Sequence, residues 1–324
     1  MTTTYNVYRG GTLITSGLTS PTYTDTGLTD GTTYSYQVSA TVNGIEGPKS
    51  SPVLATPTAV PPIPGGGVIA SFPTSGSTVA AFQALVANMN IDTIEIANGT
   101  YPWTDCNLNV DRSARPLLVR PAAGATVTFD GTGLGSGDGV FYPGWSGGYG
   151  SYMTFAGLVG GVQKFVIQNY NIGQTGLIHS GYISHCEFSG FKVRTCTGAA
   201  GGMTSHCLYI SSDGTHAADH VTANDWNVQP DVTNRTLTAL QLYHPPQVNT
   251  FTALRWNASY VHWGFVGRYS ATAVDIESWT IDHAVIPFDS QGPAGTVKNM
   301  TSTNSDNAPI INSPMVDGGG NSWA

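Results

Sequence analysis

Between positions 213 and 225 the chain sets three carboxylates and two imidazoles close together: Asp213-Gly-Thr-His216-Ala-Ala-Asp219-His220, then Asp225. Clustered carboxylates are what sugar-cleaving enzymes use, one as acid and the other as base or nucleophile. Asp213, Asp219, His220 and Asp225 are therefore the catalytic candidates. The nearest basic residues are Arg194 and Arg235, too far along the chain to belong to the same segment. Asp-Gly is also a turn signal, and a turn aspartate bonds its own backbone. The segment reads more readily as solvated turns than as a reaction centre, so the chain is expected to bind rather than to turn over.

Aromatic residues form two further groups. Trp145-Ser-Gly-Gly-Tyr149-Gly-Ser-Tyr152 lies in a glycine-rich stretch, while Tyr243, Trp256, Tyr260-Val-His-Trp263 and Tyr269 form a second concentration. Flat apolar rings beside amides and hydroxyls suit a small polar ligand with apolar faces, such as a sugar. Trp145, Tyr149, Tyr243, Trp256, Tyr260, Trp263 and Tyr269 are the binding candidates. The competing reading is that these rings fill a core. Period-two alternation over 260–265 would put Tyr260, His262 and Gly264 on one face and Val261, Trp263 and Phe265 on the other.

Ser184-His185-Cys186 recurs as Ser205-His206-Cys207. Two His and two Cys are a zinc-type set, but neighbours in a strand point to opposite faces. Buried thiols stacked in successive turns are expected, with a disulfide between Cys186 and Cys207 as the alternative, and no metal and no cofactor.

These residues must be positioned by strands. The 324 residues carry a charge of -8 and only 10% charged residues, with 40 Gly, 19 Pro, 40 Thr and 27 Ser. So few basic residues exclude a nucleic-acid binder, and the aromatic and β-branched content excludes disorder. No apolar run approaches the roughly 20 residues of a bilayer span, and Met1-Thr-Thr-Thr4 opens no signal-peptide pattern.

Residues 1–57 alternate as strands punctuated by Gly10-Gly11, Asp30-Gly31 and Asn43-Gly44. Pro57–Gly67 is a linker, so the chain divides into 1–57, 58–74 and 75–324. Val79, Phe82, Leu85, Val86 and Met89 share a helical spacing behind a Ser77 or Thr78 cap. From there to about 313 short strands dominate, among them Leu117–Arg120, Thr126–Phe129, Lys164–Gln168, Cys207–Ile210 and Ala239–Tyr243. The 21-residue shift of the Ser-His-Cys repeat matches one turn of a β-solenoid.

Two resemblances follow. Tyr5-x-Val-Tyr-Arg9, Tyr23-x-Asp-x-Gly-Leu28, Gly31-Thr-x-Tyr34-x-Tyr36-x-Val38-x-Ala40 and Ser51–Thr56 resemble the later part of a fibronectin type III module. The spacing from Leu28 to Tyr34 suits that family's tyrosine corner. Its first strands would precede Tyr5, so an open sheet face is expected. Asp92-Thr-Ile-Glu-Ile-Ala-Asn-Gly-Thr-Tyr101, Leu117–Pro121 and Gly124–Gly131 resemble the opening of right-handed parallel β-helices of the pectate-lyase-like class, in which a short helix plugs the first coil. The expected fold is all-β: an incomplete sandwich, a proline and glycine linker, and a helix-capped β-helix.

This architecture resembles minor tail proteins and tail spikes of phages that infect actinobacteria. It implies a virion component in a multi-chain assembly, outside any membrane. Residues 1–57 would dock to other tail proteins, and the β-helix would touch host-surface glycan. The alternatives are a polysaccharide lyase or glycoside hydrolase, and a purely structural decoration protein.

Overall fold

The computed structural model describes residues 3–19, 23, 25, 32–55, 67–73, 78–135, 137, 139–145, 147–173, 175–199, 205–211, 216, 218–230, 235–243, 248–268, 271–312 and 315–323, with only the backbone of 271 and 272. Of the sequence expectations, Asp213, Tyr269, Leu28 of the tyrosine corner and most of the linker lie outside these residues. The chain divides into two compact units, Met1–Pro62 and Ile63–Ala324.

The first unit is one antiparallel sheet. Its strands are β1 (Thr3–Arg9), β2 (Thr12–Leu18), β3 (Tyr34–Val42), β4 (Ile45–Glu46) and β5 (Val53–Ala55), with β1 central between β2 and β3. Gly10 and Gly11, both at positive φ, make the tight β1–β2 turn. A polar cluster ties the sheet together: the Asn6 amide donates to Glu46 at 3.0 Å, and the Tyr8 and Ser39 hydroxyls donate to the same oxygen. These donors hold the Glu46 carboxyl down at about 2. Val38, Val42, Val53 and Leu54 remain exposed. Among the described residues the incomplete module is one antiparallel sheet, which buries Val7 and Tyr8 and leaves those four side chains open to solvent.

The second unit is a parallel β-helix. Three long parallel sheets run its length, of eleven, nine and eight strands; they are called sheets I, II and III in chain order. A typical coil supplies one strand to each. Val248–Leu254, Asn257–Ser259 and Trp263–Gly267 make one coil, and Ala271–Glu277, Thr280–Asp282 and Ile286–Ser290 the next. Phe251 pairs with Val274, Ala258 with Ile281 and Phe265 with Phe288. These strands therefore find their backbone partners one coil away.

The corners are sharp. Asp225, Arg255, Ser278 and Asn299 turn sheet I into sheet II at positive φ. Each gives its N–H to the coil above, on Leu254, Glu277, Lys298 and Gly319. Those bonds offset the strain a non-glycine residue carries in this region. Oppositely charged side chains also meet across coils, as in Arg255–Asp225 at 2.7 Å and Lys298–Glu277 at 3.0 Å.

The interior is packed by stacked rings. Trp226, Trp256 and Trp279 lie one above another, with centroids 4.8 and 4.6 Å apart and planes within 8°. Each indole N–H donates to a carbonyl of the preceding coil, on Phe188, Ala223 and Ala253. The apolar surface is thus buried with its one polar group satisfied.

The helix α1 (Val79–Ala87) closes the first coil. Thr78 caps it by accepting from the Ala81 N–H at 3.2 Å. Phe82 and Val86 are buried, and Phe82 stands 4.9 Å from Trp103. Met89 falls beyond the cap at Asn88 and is exposed, so the apolar stripe is shorter than its spacing suggested. The Arg112 guanidinium, fully buried, donates to Val86 and Asn88 carbonyls at 3.4 and 3.0 Å and to Ile91. It satisfies carbonyls that a helix end leaves open.

The Ser-His-Cys repeat is not a coil-to-coil repeat. Ser184-His185-Cys186 lies in Tyr182–Ser189 of sheet I, whereas His206 and Cys207 open His206–Ile210 of sheet III. The coils here are longer than 21 residues: Cys186 pairs onward with Val221. The two cysteines therefore sit on different walls of one coil and do not stack. All four cysteines are buried free thiols. Desolvation pushes the thiols of Cys186 and Cys196 up to about 12.

Candidate functional site

The outward side of sheet III carries a row of rings and polar groups. Six of its strands run Phe141–Pro143, Gly176–Ser180, His206–Ile210, Thr238–Leu242, Trp263–Gly267 and Ile286–Ser290. Ile178 pairs with Leu208 and Leu240 with Phe265, and all four fill the core. The next residue on each strand points out. That row is Tyr142, His179, Tyr209, Gln241, Val266 and Asp289, since His179 pairs with Tyr209, Tyr209 with Gln241, Gln241 with Val266 and Val266 with Asp289.

His179 is the centre of this face. Its ring lies 4.0 Å from Trp145, 4.4 Å from Tyr209 and 5.8 Å from Tyr142. Tyr209 continues the group to His206 at 4.6 Å and Tyr243 at 6.0 Å. Trp145 is 37% exposed, whereas His179 is 4% exposed. Trp145 sits in a turn where Gly144 and Gly147 take positive φ, and its carbonyl accepts from the Asn109 amide at 3.0 Å. Neither ring nitrogen of His179 has a hydrogen-bond partner among the described residues. Burial, then the neighbouring His206, press the His179 pKa down to about 3, so the ring is neutral.

Farther along the row Asp289, 2% exposed, is held by Arg268 at 3.1 Å and by the Gln291 amide at 3.0 and 3.2 Å. Trp263 is buried yet outside the core cluster, and its indole N–H has no partner among the described residues.

Two other ring stacks line the start of the sheet I strands. Tyr152, His185 and His220 lie parallel at 4.5 Å steps, and Tyr149, Tyr182 and His216 at 4.4 and 4.5 Å. Rings stacked on one another have given up their faces, so they offer edges to a ligand. Burial and the nearby His220 lower the His185 pKa.

Among the described residues the carboxylate cluster does not come together as the sequence suggested. Asp219 begins the strand Asp219–Thr222 and pairs with its neighbour His220 at 2.9 Å. Asp225 stands past the other end of that strand, at a corner, where Arg255 grips it through two bonds of 2.7 and 2.8 Å. A strand separates them, and each is already engaged. The arginine that sequence proximity did not supply comes from the next coil, in a structural role.

The aromatic candidates divide as well. Trp145 and Tyr243 belong to the sheet III face, and Tyr149 joins a sheet I stack. Trp256 is a core residue in the tryptophan ladder, 1% exposed, and is removed from the binding set. Tyr260 takes positive φ at a corner and stacks on His283 at 4.7 Å. That corner resets the alternation expected over 260–265. Gly264 faces inward, where a Cβ would meet Ile281, and Val261 is core.

Sequence reasoning missed Tyr142, His179, Tyr209 and Gln241, and weighed His206 only as a zinc-type ligand. Their signal was a polar or aromatic residue inside a short apolar run, as in Leu177-Ile-His179 and Cys207-Leu-Tyr209. Its meaning depends on which residues of the run face inward.

No protein-family description matches the chain, and no curated protein matches it. Among solved structures it is similar to the catalytic domain of a GH87 alpha-1,3-glucanase in complex with nigerose, at 12% identity over 100% of this chain and 87% of that one, with a TM-score of 0.24. A substituted form of that catalytic domain in complex with tetrasaccharides gives 12% identity, the same coverage and a TM-score of 0.27. At these scores no part of the functional reading rests on the likeness.

Proposed function

We propose that the β-helix is a carbohydrate-binding surface, with the outward side of sheet III as its site. The observation that carries this reading is the Trp145–His179–Tyr209 group. An exposed indole stands 4.0 Å from a buried imidazole, with Tyr209 4.4 Å from the same ring. Flat rings suit the apolar face of a sugar, and the polar groups among them suit its hydroxyls. The test is binding to immobilised polysaccharides by the intact chain and by Trp145→Ala and Tyr209→Ala. Binding lost in both variants supports the reading, and binding unchanged in both removes sheet III as the site.

Turnover is the second reading, as a polysaccharide lyase or glycoside hydrolase. Asp289 favours it, because this carboxylate shares the outward row with His179, Tyr209 and Gln241. Its partners Arg268 and Gln291 weigh the other way, since they already occupy its oxygens. Release of reducing ends or unsaturated products from bound polysaccharide, abolished by Asp289→Asn, would establish it. The exposed apolar residues of the first unit favour placement of the chain within an assembly, and a phage tail is the assembly we propose. Detection of the chain in purified virions tests that placement.

A further inference from the structure

We infer that the flank of the β-helix formed by residues 158–164 and 192–194 docks on an anionic lipid surface. A short apolar hairpin enters the headgroup layer, and three basic side chains meet the lipid phosphates. This site is separate from sheet III and goes beyond the sugar-binding reading.

Two departures from a neutral, hydroxyl-coated flank meet at this place. The first is apolar. Leu158–Val159 and Val162–Gln163 pair as a two-stranded antiparallel hairpin outside the three long sheets. Gly160 and Gly161, both at positive φ, make its two-residue turn. Leu158, Val159 and Val162 are 38, 49 and 53% exposed. Away from the two ends of the solenoid, Trp145 is the one other large apolar side chain so exposed among the described residues. The hairpin is anchored. The Lys164 N–H donates to the Gly157 carbonyl at 2.7 Å, and the Gln163 amide donates to the Asp225 carbonyl at 3.2 Å. Its root crosses the corner at Gly190, where a Cβ would meet the Leu158 nitrogen at 2.0 Å.

The second departure is charge. Among the described residues of this unit, Lys164, Lys192 and Arg194 are the basic side chains without a carboxylate. Arg112 is buried on carbonyls, and the others form ion pairs. Arg194 spends its Nε on the Gln168 side-chain oxygen at 2.7 Å and is exposed. Phe165, Phe191 and Val193 fill the core, so Lys164, Lys192 and Arg194 point outward from sheet II. Val166 pairs with Lys192. Ordinary strand spacings then put Lys164 roughly 8 Å from Lys192, and Lys192 about 7 Å from Arg194. The carboxylate of Asp225, whose carbonyl anchors the hairpin, is taken by Arg255.

The coincidence of the two features selects the partner. An acidic glycan would use the cations and leave the hairpin without a role. An apolar protein groove would use the hairpin and leave the cations. A lipid surface of negative charge uses both. Two residues per strand reach about 7 Å, the depth of the boundary between headgroups and acyl chains. The chain therefore lies on the bilayer and does not span it.

The experiment is co-sedimentation of the full chain with vesicles of phosphatidylcholine alone and of phosphatidylcholine with phosphatidylglycerol. Binding to the anionic vesicles is expected, with little to the neutral ones, and it should weaken as salt is raised. Lys164→Gln, Lys192→Gln and Arg194→Gln should each weaken it about fivefold. Val159→Ser combined with Val162→Ser keeps the charge and should weaken it at least about tenfold. Binding to both kinds of vesicle alike, or to neither, overturns the inference, as does anionic binding that survives both sets of substitutions. Retention on immobilised alginate without vesicle binding assigns the patch to an acidic glycan and also overturns it. Sheet III is judged separately, by sugar binding in Trp145→Ala and Tyr209→Ala.

Discussion

The tryptophan ladder and the Trp145–His179 group are built from the same kinds of ring, a few coils apart. Inside, Trp226, Trp256 and Trp279 spend their faces on each other and their N–H groups on carbonyls. Nothing is left to offer a ligand. Outside, Trp145 keeps more than a third of its surface in water, and His179 keeps both nitrogens unbonded. Ring content therefore says little about binding in a solenoid. What matters is whether each ring's faces and polar atoms are already committed.

The strongest challenge to this contrast is Trp256→Ala. Removing the middle ring leaves a cavity between two others, and such losses cost about 3–5 kcal/mol. Urea unfolding of the β-helix should show it, with sugar binding intact at temperatures where the fold survives. A loss near zero would mean that the interior ladder is not a stabilising stack.

Next is Arg112→Met, which keeps the stem and removes the donors that hold the end of α1. Carbonyls left unpaired should cost about 1–3 kcal/mol. Hydrogen exchange should rise first in α1 rather than in the far coils, because each coil leans mainly on its neighbours.

His179 makes the outer group sensitive to acid. Its folded-state pKa of about 3 lies below the ordinary 6.5. As pH falls, the unfolded chain takes up this proton while the folded chain does not. Stability from this group is constant above about pH 6.5 and declines toward pH 3 by about 1.4 kcal/mol per unit. Between pH 7 and pH 5, His179→Phe should lose about 2 kcal/mol less than the unmodified chain in denaturant titrations. Equal losses would show that the imidazole is protonated in the fold.

The smallest effect belongs to the surface. Asp225→Asn breaks a partly exposed pair with Arg255, and such pairs contribute about 0–1 kcal/mol. Sugar binding should not change. A large loss of binding or turnover would restore Asp225 to the functional residues.

Much of the second unit was legible in the chain. Val79, Phe82 and Val86 mark a helix because their spacing buries one stripe. Strands such as Leu117–Pro121 and Val127–Asp130 show through their alternation. Composition alone said that the surface would be built from hydroxyls and amides. Three matters were decided only in three dimensions. The Ser-His-Cys repeat suggested a coil of 21 residues, but parallel pairing sets the coil length, and loops of different size stretch it locally. The alternation through Tyr260–Phe265 failed because a corner at positive φ shifts the phase of everything after it. His179 went unnoticed because a histidine between apolar residues has no meaning until its neighbours' directions are known. Spacing along the chain determines which residues can share a face. Which residues from distant coils meet on that face, and whether their polar atoms find partners there, depends on registers and corners that only the assembled solenoid supplies.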